Sequence, residues 1–141
     1  MPTSPIVLGL IALTLGIALL ALWKGGPAER LGGAVVGANL VLSILSGLLL
    51  PDAAQPIARL TLDGLTALAL LVITVSYASF WLGGVMLLYA VQFSLHAFYM
   101  VMSRPVDFWY ALINNLNFFG ISTCLLVGAI VGWRQRLRRT A

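Results

Sequence analysis

Charge is what this sequence has least of: eight Lys or Arg and four Asp or Glu make up 9% of its 141 residues. A soluble domain is about a quarter charged, so a surface clothed this thinly excludes a water-soluble globule. With 61% hydrophobic residues and a mean hydropathy of +1.04, intrinsic disorder is excluded too. One cysteine, Cys124, excludes an intrachain disulfide and a cysteine-held metal cluster, and one histidine, His96, cannot supply a metal site by itself. Paired carboxylates, a Ser/His/Asp set, an H-E-x-x-H motif and a phosphate-binding glycine loop are all lacking. No soluble stretch longer than a loop interrupts the apolar runs, so catalysis is not expected, nor is any cofactor. What is left is an integral membrane protein.

A helix that crosses the hydrocarbon layer needs about 20 apolar residues. Residues 6–23 and 31–50 qualify, with Lys24 to Arg30 between them. From 60 to 102 the chain is apolar almost throughout, and as one helix it would be roughly 64 Å long, about twice the hydrocarbon thickness. It must fold back at Ser76-Tyr77-Ala78-Ser79, which gives spans over 57–76 and 81–102. A fifth span covers 108–133, followed by a basic tail at 134–141. The expected fold is all-α, a bundle of five transmembrane helices forming one domain over residues 1–133.

Charge placement supports that number. With five spans, Lys24, Arg30, Arg134, Arg136, Arg138 and Arg139 share one side, and only Arg59 and Arg104 lie on the other. The positive-inside bias then puts the C-terminus in the cytoplasm and the N-terminus outside. Trp23, Trp81 and Trp133 fall at the expected inner interface and Trp109 at the outer one. The first span is expected to be retained, since nothing basic precedes it and Trp23 and Lys24 follow it instead of the small residues of a cleavage site. The four tail arginines suit anionic lipid headgroups, so the net charge of +4 does not point to nucleic acid.

The first loop reads as helix punctuation: Lys24 closes one helix, Gly25 and Gly26 turn, Pro27 fits a first helical position and Glu29 the first turn of the next. Trp23-Lys24-Gly25-Gly26-Pro27-Ala28-Glu29-Arg30, with Asp63-Gly64 opening the third span and Trp81 the fourth, resembles small multi-pass bacterial inner-membrane proteins. That resemblance implies a helical membrane protein of the bacterial inner membrane and carries over no activity and no site residues.

The chemistry lies in a polar seam. On the fourth span Tyr89, Gln92, His96, Tyr99 and Ser103 are spaced 3, 4, 3 and 4, one stripe of a helix. On the fifth, Tyr110, Asn114, Asn117, Cys124 and Gly128 share a face. A short loop around Pro105 makes the two spans antiparallel neighbours and sets His96 and Asn114 at similar depth. Gln92, His96, Tyr99, Asn114 and Asn117 are therefore either interhelical glue or a site for a quinone, a lipid or a proton. Asp63, the one acid within a span, is expected to pair with Arg59 one turn away while Arg59 snorkels outward. Asn39 is expected to bond a neighbouring helix. Small-residue pairs, Gly33/Gly37, Ser43/Gly47 and Gly128/Gly132, suit close helix packing.

Two roles are open. One is an accessory, assembly or stabilising subunit, whose partners are other membrane subunits or further copies of itself. The other is a binding or translocation protein for a lipophilic or protonatable ligand at the seam.

Overall fold

Each apolar run forms a helix in the computed structural model of the protein, which describes residues 5–140 and side chains as far as Arg138. The helices are α1 (Pro5–Lys24), α2 (Pro27–Leu49), α3 (Gln55–Tyr77), α4 (Phe80–Val101) and α5 (Phe108–Thr140). All five are long and apolar enough to cross a membrane, and no strand occurs among the described residues. The first four hold 20 to 23 residues, about 30–35 Å at 1.5 Å per residue, the thickness of the hydrocarbon layer. The chain is a small multi-pass membrane protein.

The ends of these helices follow from local chemistry. Pro27 starts α2 with Glu29 in its first turn, four residues earlier than the apolar run alone suggested. A Cβ at Gly25 would collide with the Ala21 carbonyl and with Glu29, so only glycine fits the tight α1–α2 turn. The fold-back falls at the expected place: Ala78 adopts the left-handed conformation (φ 48°) and the Ser79 amide donates to the Thr74 carbonyl (3.3 Å), which stops α3 before Phe80 starts α4. Asp107 caps α5, accepting from the Tyr110 amide at 2.8 Å. α5 continues without a break through Arg134, Arg136 and Arg138 to Thr140; the Arg139 side chain, the last of the expected headgroup contacts, lies outside the described residues.

Consecutive helices pack as neighbours and α5 closes on α1, so the five form a ring, with α5 also touching α2. The α2–α3 and α4–α5 connections define what we call the upper end. The α1–α2 and α3–α4 connections and the C-terminus lie at the lower end. Leucines and valines such as Leu19, Leu48, Leu68, Val72, Leu87 and Leu116 face outward, as lipid permits and water does not. Inside, the lower half is filled by Leu70, Ile73, Leu82, Val85, Leu125 and Ala129.

The small residues serve this packing. A Cβ at Gly33 would lie 2.9 Å from Ala21 Cβ, and one at Gly37 3.5 Å from Ala18 Cβ, so α1 and α2 meet almost backbone to backbone. Gly132 lies under Glu29. Trp81 lies at the lower end, the level expected for it, half-buried with its indole laid on Gly128. Its ring turns inward because only a glycine on α5 leaves room for it. Trp23 and Trp109 are exposed, and Lys24 Nζ sits 4.1 Å from the centre of the Trp23 ring.

Candidate functional site

Among the described residues, the eight buried polar ones lie in the upper half of the bundle or near its middle: Thr14, Asn39, Ser46, Asp63, Thr66, Gln92, Asn117 and Ser122. Thr14 and Ser122 pair through their hydroxyls at 2.6 Å and join α1 to α5. Most of the others form one connected chain that begins at a fixed backbone acceptor.

Asn117 Nδ2 donates to the Leu88 carbonyl at 2.9 Å and to Gln92 Oε1 at 2.7 Å. That turns the amide nitrogen of Gln92 toward Asn114 Oδ1 (2.5 Å) and His96 Nε2 (3.4 Å). Because the Leu88 carbonyl cannot donate, this order of donors makes His96 Nε2 an acceptor and places the ring proton on Nδ1. Nδ1 then donates to Asp63 Oδ2 at 2.5 Å. Asp63 Oδ1 faces Asn39 Nδ2 at 3.4 Å; the same nitrogen donates to Thr66 Oγ1 at 2.9 Å, and the Tyr89 hydroxyl donates to Asn39 Oδ1 at 3.4 Å. A proton placed on His96 Nε2 would face the Gln92 amide nitrogen, and relieving that clash means turning the Gln92 and Asn117 amides against the Leu88 carbonyl.

The structure thus brings Gln92, His96, Asn114 and Asn117 together, with Gln92 standing between His96 and Asn114. Tyr99 sits at the rim: its hydroxyl donates to Asp107 Oδ1 at 2.6 Å, and its ring meets Tyr110 edge-on at 4.9 Å. Tyr110 in turn stacks on the His96 ring at 5.7 Å. The Arg59–Asp63 pairing expected from the sequence is replaced. The Asp63 carboxylate takes His96, and the Arg59 guanidinium reaches upward to the Tyr110 hydroxyl. At the same depth on the neighbouring helix an imidazole can meet a buried carboxylate without leaving the bundle, whereas a long cationic side chain lowers its energy by rising toward water. Asn39, Thr66 and Tyr89 join the site across three helices. Asn39 bonds a neighbouring helix as expected, but nothing in the sequence named that helix, and Thr66 carried no signal of its own.

Above His96 a cleft of about 270 Å³ opens at the upper end, lined by Arg59, His96, Tyr99, Arg104, Tyr110 and Asp52 among others. The Asp52 carboxylate accepts from Gln55 Nε2 at 3.1 Å. A larger hollow of about 1010 Å³ lies at the lower end, between the α1–α2 turn, the α3–α4 turn and α5. There Arg136 Nη1 donates to the Gly25 carbonyl, so this hollow is spanned by structural contacts. Between the two runs the apolar lower core, in which the Thr74 hydroxyl is buried without a hydrogen-bond partner.

Outside the spans, the Tyr99 hydroxyl and the Tyr110 amide hold the Asp107 carboxyl below its ordinary value of 3.8. A lowered folded pKa contributes stability that is present above the ordinary value and is lost as pH falls through the lowered one. The unfolding midpoint of the wild type in detergent should therefore exceed that of Asp107→Asn by a constant margin above about pH 5, and the margin should shrink below about pH 4. A margin that stays constant down to pH 2 would remove Asp107 from the acid-labile contacts.

No protein-family model, no curated protein and no solved structure matches the chain.

Proposed function

We propose that this membrane protein binds a small protonatable ligand in the upper cleft, from one side of the bilayer. The observation that carries the reading is the His96–Asp63 pair at the cleft floor: an imidazole whose ring proton is engaged by a buried carboxylate and whose other nitrogen is held by a single long hydrogen bond of 3.4 Å. An imidazole held in this way is an ionisable ring fixed at the floor of the cleft, with its Nε2 lone pair turned to Gln92. Ionisable groups at membrane depth are candidates for function because their burial is costly.

Binding is favoured over translocation by what lies beneath. Hydrogen-bonded groups run from the cleft to Asn117 and Tyr89, and below them Leu70, Leu82, Val85 and Leu125 fill the ring. A proton or ion that entered at His96 would find no polar continuation to the lower end. The charge asymmetry of the loops puts the C-terminus in the cytoplasm, so the cleft opens on the opposite face. The bacterial inner membrane is the setting that the first-loop resemblance implies.

An accessory, assembly or stabilising subunit would use the seam only as glue between helices. The protein purified in mild detergent from its own membranes separates the two readings. Under the binding reading it carries a small molecule, identified by mass spectrometry of the extract, that His96→Ala and His96→Gln both lose while helix content and elution volume are retained. A stoichiometric complex with larger membrane subunits, formed equally well by both variants and with no such molecule, would establish the accessory role instead.

A further inference from the structure

We infer that the ligand of the upper cleft is the acid headgroup of a lipid, a phosphate or carboxylate whose chain stays in the bilayer. This rests on the binding reading above and assigns its chemistry.

Charge on the cleft wall is the first ground. Two guanidiniums, Arg59 and Arg104, line it against one carboxylate, Asp52, which is engaged by Gln55. Asp107 is not part of the lining, and its Oδ1 takes both the Tyr99 hydroxyl and the Tyr110 amide. Asp63 lies below the floor on His96. The charged groups that line the cavity are therefore two guanidiniums against one carboxylate, an excess of positive charge, with the Tyr110 hydroxyl beside Arg59. Guanidiniums grip phosphate and carboxylate through paired N–H donors.

The floor is the second ground. The His96 ring closes the floor with both nitrogens taken, Nδ1 by Asp63 and Nε2 by Gln92, and so covers the Asp63 carboxylate and keeps its charge out of the cavity. A permanently cationic head would face two guanidiniums, and a neutral one would leave them unpaired. Size and position are the third. About 270 Å³ holds a headgroup and excludes a whole lipid, and the cleft sits at the end of the spans, where headgroups lie. Its wall continues into the exposed side chains of Met100, Val101 and Val106, an apolar path by which a chain can leave sideways.

The test uses the intact protein in detergent, titrated with phosphatidic acid, with phosphatidylcholine and with inorganic phosphate, with the unfolding midpoint and native mass spectrometry as readouts. Phosphatidic acid should raise the midpoint and remain bound. Arg59→Gln and Arg104→Gln should each weaken it about tenfold, while Arg30→Gln, at the opposite end, should leave it unchanged. Equal affinity for phosphatidylcholine, or for the Arg59→Gln and Arg104→Gln proteins, overturns the acid assignment. Protection by inorganic phosphate as strong as that by the lipid overturns the lipid source in favour of a free anion. A neutral cargo lost in His96→Ala but indifferent to both arginines would overturn this inference and leave the cleft as the binding site.

Discussion

Asp63→Ala is expected to lose about 3–5 kcal/mol of stability, because removing one partner of a buried pair leaves the other uncompensated. Asp63 is 5% exposed and lies about 12 Å along α3 from its upper end, covered by the His96 ring. Alanine there strands the Nδ1 proton of His96, takes one partner from the Asn39 amide and leaves a cavity. Asp63→Asn keeps an acceptor of the same shape, and its loss should be smaller, about 1–2 kcal/mol. Once Asp63 is gone the histidine keeps only its long Gln92 bond and its stack on Tyr110, so His96→Ala should cost far less in the Asp63→Ala protein than in the wild type, a coupling that a double-mutant cycle measures directly. Denaturant unfolding in detergent, followed by circular dichroism, gives all four values. An Asp63→Ala protein within about 0.5 kcal/mol of the wild type would mean that the pair does not hold α3 to α4.

The second large effect concerns packing. Gly128→Ala places a methyl group on the six-membered ring of Trp81 and should destabilise the fold by about 1–3 kcal/mol, the usual range for overpacking. The indole cannot simply slide away, because its far edge comes within 3.3 Å of where a Cβ at Gly32 would be. Either Trp81 swings out toward the lower interface, opening a hole beside Leu82 and Ala129, or α4 and α5 move apart. Trp81→Ala alone should also destabilise, by leaving a cavity. The two changes together should cost clearly less than their sum, since the methyl then fills space that the indole has vacated. Full additivity would show that Trp81 does not sit against Gly128. Tryptophan fluorescence supplies an independent readout: outward rotation of Trp81 in Gly128→Ala should shift its emission and its accessibility to a quencher.

Much of this molecule is legible in its sequence. The five spans follow from the length of apolar runs set against the thickness of a bilayer, and the bend at Ser76–Ser79 follows from a run too long to cross once. The stripe of Gln92 and His96 on α4, and that of Asn114 and Asn117 on α5, come from helical periodicity, and the short Pro105 loop makes the two helices adjacent. The level of Trp81 at a span end is read from the sequence, but the direction of its ring is not, since nothing near it announces the glycine, 47 positions later, that draws it inward.

Asp63 shows where that reading ends. Its near neighbour in sequence, Arg59, offered an obvious partner one turn away, yet the carboxylate is joined to His96, 33 residues on. Spans and stripes are local properties: they depend on how each segment meets lipid, and the order of the residues contains that information. Which way each helix is rotated about its axis, and so which polar groups meet across the bundle, depends on how all five surfaces fit together. Only the closed ring decided that Asn39, Asp63 and His96 would share one chain of hydrogen bonds, because inside a bilayer a polar group has no water to fall back on and must be satisfied by whichever helix is packed beside it.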